Sequence, residues 1–389
     1  MEVLPKDTLV VPKRHSQVAS YWFSQASSHL IDLEIADPSR RHPIRNDQCF
    51  VNFMMQLVWP RVERIRSLHL SFREIYDICC LLQRDDKYEF PHYAWAFPNL
   101  EYLTLQLEMD GMLESPVHTI QSMPKLHTVV LKNAYALDIH LPWAQLTSLT
   151  IDAIEGSLFR LLMARCPILE TGCFSIYADG DIEEELPIGD ITLTRLTTFT
   201  IHFLGAYDLS ILDDIHLPAL ADFTLFLADP ACDFDWMMAP EHLFRQLAPI
   251  TTLSLGKHIA PPDMIRIIHQ TKNVMTFEVE VEDGHGELFK ALTIGPELGG
   301  EDALLPKLSA MRVRPCPRDG SEPFAVVAFV DMVASRSPSG ADALDVEPLR
   351  EVSLGIPGSL NTLKEDMDTV LEGWEHKTDM PRIRYELCR

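Results

Sequence analysis

The sequence predicts an α/β solenoid in which a curved parallel β-sheet forms the concave side and helices and loops form the convex side. Two observations predict it. Short apolar pairs at positions i and i+2 recur along the chain, and each follows an apolar residue three positions upstream. Segments with the apolar spacing of helices lie between these pairs. A strand, a crossover helix and a further strand build a parallel sheet.

The strands are predicted from ten units that share one spacing. The units are Ile65/Leu68/Leu70, Leu100/Leu103/Leu105, Leu126/Val129/Leu131, Leu146/Leu149/Ile151, Leu196/Phe199/Ile201, Leu220/Phe223/Leu225, Ile250/Leu253/Leu255, Val274/Phe277/Val279, Leu308/Met311/Val313 and Leu349/Val352/Leu354. A Pro two positions before the first apolar residue occurs in four of them, where about one is expected by chance. Those four begin Pro98-Asn99-Leu100, Pro124-Lys125-Leu126, Pro218-Ala219-Leu220 and Pro306-Lys307-Leu308.

The period of the strands is more specific than their apolar pattern. The first strand residues advance by 26, 20, 25, 25, 24, 30 and 24. They are Leu103, Val129, Leu149, Phe174, Phe199, Phe223, Leu253 and Phe277. A period of this length is that of leucine-rich repeats, whose units stack around one continuous core. In this alignment Phe174 and Ile176 correspond to Leu149 and Ile151.

Helices are predicted between the strands, because their apolar residues recur at helical spacing. In the clearest case, Leu158, Leu161, Leu162 and Cys166 share one helix face. The predicted helices cover residues 75–84, 157–166, 241–247, 262–271, 287–292, 324–336 and 360–374.

The domain organisation follows from the extent of the repeats. Residues 1–60 are predicted to form an N-terminal capping region, and residues 61–389 a single solenoid with a C-terminal cap. A stretch of small residues with turn signals begins at Ser335 and includes Pro338 and Gly340. It predicts a loop insertion near residues 335–346.

Composition narrows the class of partner. The 389 residues include 33 Lys+Arg and 57 Asp+Glu, which gives a formal net charge of -24. This charge repels phosphate backbones and anionic lipid, so neither nucleic acid nor a membrane is expected as a partner. Eight cysteines are sparse for this length, and the start lacks a signal-peptide pattern. These features predict a cytoplasmic or nuclear protein.

A binding surface is predicted on the concave face, because residues that alternate with the buried ones point there. Tyr177, His202 and Phe226 stand at one position of three successive strands, and aromatic side chains are frequent anchors in protein interfaces. The predicted partner-binding residues are Asp152, Tyr177, Thr200, His202, Thr224 and Phe226. The alternative is that helices or a loop of another unit cover the aromatic residues.

Charged residues follow on later strands. Glu278 and Glu280 are expected beside Arg312 and Arg314, either as a bipolar recognition site or as pairs that neutralise each other. Cys166 and Cys173 have no His or Cys neighbours at zinc spacing and are interpreted as buried thiols.

Signatures of catalysis are missing from the sequence. It contains no phosphate-binding loop, dinucleotide-binding glycine motif, nucleophile elbow or His-Glu-x-x-His motif. We therefore expect a binding protein that is not an enzyme and that uses no cofactor or metal. An enzyme with a loop-borne site is the alternative.

Three phrases carry a resemblance to a known family. They are Ala96-Phe97-Pro98-Asn99-Leu100-Glu101-Tyr102-Leu103-Thr104-Leu105, Cys166-Pro167-Ile168-Leu169-Glu170 and Pro348-Leu349-Arg350-Glu351-Val352-Ser353-Leu354. In these phrases the chain resembles the fungal F-box-like leucine-rich-repeat proteins. The resemblance covers nearly the whole chain, although its motifs are loose.

The resemblance implies a role in recruiting proteins for ubiquitination. In that family an F-box docks on the adaptor of a cullin-RING ubiquitin ligase, and the repeats bind the protein to be ubiquitinated. Leu4-Pro5 resembles the start of an F-box, but the next residues lack its helical apolar pattern. The resemblance thus implies a substrate receptor that contacts the ligase adaptor only if an F-box lies upstream, or a repeat scaffold without ligase function.

Overall fold

The structure is a computed structural model that divides into two compact units, Met1–Ile188 and Gly189–Arg389. It describes residues 8–10, 29–35, 59–72, 95–107, 120–132, 141–177, 189–205, 209–212, 214–228, 246–282, 285–295, 303–316, 324–341, 346–357, 361–372 and 381–388.

The unit Met1–Ile188 contains a parallel sheet whose strands follow the order of the chain. Its strands are β1 (Thr8–Val10), β2 (Ile31–Ile35), β3 (Ile65–Phe72), β5 (Tyr102–Leu107), β7 (Thr128–Lys132), β8 (Ser148–Glu155) and β9 (Thr171–Tyr177). The short strands β4 (Trp95–Ala96) and β6 (Ile120–Ser122) form a separate parallel pair. Because β1 and β2 belong to the same sheet as β3, the predicted capping region 1–60 contributes strands to this sheet.

The unit Gly189–Arg389 repeats this arrangement. The strands of its larger sheet are β11 (Thr198–Phe203), β13 (Asp222–Leu227), β14 (Thr252–Leu255), β15 (Thr276–Val281), β16 (Ala310–Pro315), β17 (Glu351–Pro357) and β18 (Arg382–Cys388). Successive strands are parallel. The short strands β10 (Ile191–Thr192) and β12 (Ile215–His216) form a second parallel pair.

The apolar pairs of the sequence are the buried face of both sheets. In β11, β13 and β15 buried and partly exposed residues alternate strictly, as the two-residue repeat of a strand requires. Register pairs Phe199 with Phe223 and Leu225 with Leu255, so equivalent side chains stack from strand to strand. The prediction of an α/β fold with a parallel sheet is therefore confirmed.

Five helices in the described ranges match predicted ones to within a few residues. They are α1 (Gly156–Arg165), α2 (Pro261–Gln270), α3 (Gly286–Leu292), α4 (Val326–Ser335) and α6 (Asn361–Glu372). Of the other predicted helices, 75–84 lies outside the described residues, and only the helical Gln246 and Leu247 of 241–247 are described. None of the helices in these ranges has the length and apolar character that crossing a membrane requires.

The helices pack on the buried face of the sheets. In α1 the ring of Phe159 meets that of Phe174 on β9 edge-on, with centroids 5.1 Å apart. In the second unit, the buried rings of Phe289 on α3 and Phe329 on α4 contact each other at 5.3 Å, so these two helices pack together. We call the face that carries the partly exposed strand residues the outward face of each sheet.

The turns before the strands show what the Pro-x-Leu signal does. Where the middle residue is Asn or Lys, its side chain links its turn to a neighbouring one. In the first unit Lys125 Nζ donates a hydrogen bond of 2.7 Å to Asn99 Oδ1, and Asn99 donates to a backbone carbonyl of the preceding turn. Lys307 and Asn273 repeat the arrangement in the second unit, also at 2.7 Å.

The segment of the predicted loop insertion near 335–346 contains a short helix and a buried charge. Residues Pro338–Ala341 form a short helix, α5, and Arg336 is fully buried. The Arg336 guanidinium donates hydrogen bonds to the carbonyls of Leu292, Leu304 and Leu305. Burial lowers the pKa of Arg336 to about 10. Small residues here allow close packing around a buried cation, which is why their composition resembles that of a loop.

Candidate functional site

Four of the predicted partner-binding residues lie together on the outward face of the second unit. Register places Thr200 beside Thr224, and His202 beside Phe226, on the adjacent strands β11 and β13. All four are partly exposed. The rings of His202 and Phe226 meet edge-on with centroids 4.6 Å apart, a favourable geometry for aromatic side chains. The expectation that they would be neighbours is confirmed.

Gly256 completes this surface. It directly follows β14, and a Cβ atom built on it would overlap the Cδ1 atom of Phe226. The ring of Phe226 therefore lies against the backbone at Gly256, which only a residue without a side chain allows. We call Thr200, His202, Thr224, Phe226 and Gly256 the aromatic surface. Gly256 is not among the predicted binding residues, although a glycine one repeat away from an aromatic residue is a usable sequence signal.

Hydroxyl groups border the aromatic surface. Ser254 of β14 stands beside Thr224 in register. At the start of the strands, Thr198 Oγ1 donates a 3.4 Å hydrogen bond to Asp222 Oδ2. Hydroxyls both donate and accept hydrogen bonds, so this border can pair with the backbone or side chains of a bound protein.

The other two predicted residues, Asp152 and Tyr177, lie in the first unit, and their expected register is wrong. Asp152 pairs with the buried Ser175, and Tyr177 pairs with Glu155. The Tyr177 hydroxyl donates a 3.3 Å hydrogen bond to Glu155 Oε1. Asp152 therefore does not flank Tyr177 in one row.

Most of the difference is present along the whole pairing, which is offset by two residues from the expected register: Leu149 pairs with Gly172, and Ile151 pairs with Phe174. The register between β8 and β9 shifts between Asp152 and Ile154, and Ala153 between them has a φ of 79°. The extra residue moves the end of β8 forward by one position. The two-residue offset breaks the predicted hydroxyl row, because Thr150 stands beside Cys173 and not beside Ser175.

The charged residues on later strands pair with one another. Register places Glu278 beside Arg312 and Glu280 beside Arg314, as predicted. Arg312 Nη1 lies 2.7 Å from Glu278 Oε1, and Arg314 Nη1 lies 3.8 Å from Glu280 Oε1. We call these four residues the ion-pair network. Since each charge has a partner of opposite sign, the network favours the interpretation that these residues neutralise each other.

One buried pair was not predicted. His258 Nδ1 lies 3.0 Å from Glu282 Oε2, and both side chains are nearly inaccessible. His258 has a φ of 71°, which turns the chain from β14 toward α2. The pair joins the ends of β14 and β15. A single His in the left-handed region gives only a weak sequence signal.

The cysteines and the acidic groups offer no metal site in the described part of the chain. There, no group of three or more His, Cys, Asp or Glu side chains could hold a metal ion. Cys166 is buried, and burial raises the pKa of its thiol to about 12. Burial also raises the pKa of Cys173. Both thiols are therefore protonated at neutral pH and poor nucleophiles.

Comparison with known proteins gives no match, either to a model of a protein family or to a protein of established function.

Proposed function

We propose that the chain is a leucine-rich-repeat solenoid that binds another protein through the outward, concave face of its sheet. The period of the apolar pairs and the parallel strands in each unit support the repeat assignment. The observation that carries the binding role is the aromatic surface, where two rings lie on a partly exposed sheet face.

The aromatic surface has the properties of an interface centre. Phe226 and His202 offer large area with few rotamers to freeze, and their mutual contact fixes both rings before a partner arrives. Gly256 leaves room for the edge of the Phe226 ring, which no side chain at this position would allow. The surrounding hydroxyls supply the polar border typical of such interfaces.

The partner is a protein. The net charge of -24 disfavours nucleic acid and anionic membranes at long range. We place the protein in the cytoplasm or the nucleus. Two roles fit this surface: the substrate-recognition part of a ubiquitin-ligase receptor of the F-box-like leucine-rich-repeat type, or a repeat scaffold without ligase function. Neither role uses catalysis by this chain.

Affinity capture with quantitative mass spectrometry tests the proposal. The full chain, Phe226→Ala and Val327→Ala serve as baits; Val327 is 62% exposed on α4, away from the sheet face. We expect at least one protein that the wild type and Val327→Ala recover equally and Phe226→Ala loses.

Recovery of a ligase adaptor and cullin with that protein would support the receptor role, and their absence the scaffold role. If Phe226→Ala recovers every protein that the wild type recovers, the aromatic surface is not the binding site.

A further inference from the structure

Strand β18 ends the sheet of the second unit. It pairs with β17 over seven residues without a bulge, from Arg382 to Cys388. Among the described residues, no strand pairs with its other edge. An edge strand presents a row of backbone donors and acceptors, and proteins commonly block such edges with Pro, bulges, short strands or charged side chains, which repel a second copy when they share one sign. Strand β18 is regular and contains neither Pro nor Gly.

The charges of β18 are arranged symmetrically about Tyr385. Arg384 and Glu386 flank it and point to the outward face. Their side chains are 64% and 48% exposed. Arg384 Nη1 lies 2.8 Å from Glu351 on β17, and Glu386 Oε2 lies 3.7 Å from Arg312 on β16. At these exposures, each group retains accessible surface for a further partner of opposite charge.

An antiparallel second copy of β18 complements this arrangement. If the two strands are related by a two-fold axis at Tyr385, Arg384 of each copy stands opposite Glu386 of the other. Both charge pairs then form on the same face of the joined sheet, since facing residues in an antiparallel pair share a face. A two-fold contact of this kind closes on itself and stops at two copies.

From these observations we infer that β18 is a homodimerisation edge, whose occupant is the β18 strand of a second copy of this chain. The joined sheet would carry two aromatic surfaces, one in each copy. A partner with two binding sites would then be held by both, with higher overall avidity than one surface provides. The dimer does not depend on the proposed binding role.

Sedimentation equilibrium of the full chain over a range of concentrations tests the inference. We expect a monomer–dimer equilibrium for the wild type. In the dimer, each of the single variants Arg384→Glu and Glu386→Arg would contain two pairs of like charges that face each other across the contact. We expect either change to weaken association about tenfold or more. The double variant Arg384→Glu/Glu386→Arg restores opposite charges and should recover most of the association.

The same variants also separate this inference from its alternatives. Thermal unfolding of each monomer controls for the loss of the contacts with Glu351 and Arg312. A wild type that stays monomeric, or a double variant no better than the single ones, would overturn the inference. So would growth into larger oligomers that the charge changes leave unaltered, because that would indicate an open contact through another edge.

Disulfide trapping provides a second readout. Facing residues at the axis of an antiparallel pair are close enough to be bridged, so Tyr385→Cys should form a 385–385 disulfide under mild oxidation. Val327→Cys, on the exposed surface of α4, is the matched control and should not cross-link. Peptide mapping that finds no 385–385 bridge would contradict the two-fold register.

Discussion

The outward sheet face of the second unit has two regions, one with partly exposed aromatic rings and one with charged side chains that form ion pairs. In the aromatic surface, the rings of His202 and Phe226 contact each other and remain partly exposed. In the ion-pair network, Arg312 and Glu278 bind each other at 2.7 Å. The two regions share one sheet and one register. The comparison teaches that a face position alone does not indicate binding, because the side chains of one region already use one another as partners.

The largest effect is expected for Arg336, a fully buried cation that contrasts with the partly exposed charges of the ion-pair network. We expect Arg336→Met to lower the free energy of unfolding by about 3 kcal/mol, because three backbone carbonyls lose a charged donor. Urea denaturation measures the change. Arg350→Met, at a position 73% exposed, is the control and should cost less than about 0.5 kcal/mol. An equal loss of unfolding free energy in the two variants would contradict the stabilising role of the Arg336 hydrogen bonds.

A methyl group at Gly256 tests the fit of the aromatic surface. We expect Gly256→Ala to lower the free energy of unfolding by about 1–2 kcal/mol, since its Cβ must displace the ring of Phe226. Affinity for the partner should fall as well, because the ring of Phe226 is displaced from its position on the aromatic surface. Gly205→Ala is the matched control, with no atom within 4 Å of the added Cβ. Stability and affinity unchanged from those of Gly205→Ala would contradict the described packing.

The ion-pair network should contribute least. Because Arg312 and Glu278 are 39% and 29% exposed, solvent screens their attraction. A double-mutant cycle with Arg312→Ala and Glu278→Ala should give a coupling energy below about 1 kcal/mol, falling further in high salt. A coupling that is larger and independent of salt would show that the network behaves as a buried one.

The sequence predicted those parts of the fold that depend on local alternation. The pair Leu253 and Leu255 identifies β14 without its neighbours, because the buried face of a strand repeats every two residues. The contact of His202 with Phe226 was predictable because the two residues are one repeat apart, 24 positions. Strand β18 was missed because its alternation includes charged residues on an edge, where little is buried.

The parts that the sequence did not predict depend on distant contacts or unusual backbone. The register of β8 and β9 differs by two residues from the one that aligned Phe174 with Leu149, and the extra residue Ala153 adds a third, so Asp152 and Tyr177 were not aligned correctly. The burial of Arg336 depends on carbonyls more than 30 residues away in sequence. A composition rich in Ser, Pro and Gly cannot distinguish such a buried corner from a loop.

The most direct test of the binding account is a titration of one purified partner against three forms of the chain: wild type, Phe226→Ala and Arg312→Ala. The account predicts about a 30-fold loss of affinity for Phe226→Ala, the effect of removing an interface anchor. It predicts less than about a threefold loss for Arg312→Ala, whose charge already has an internal partner. Equal losses, or a greater loss for Arg312→Ala, would contradict the assignment of binding to the aromatic surface.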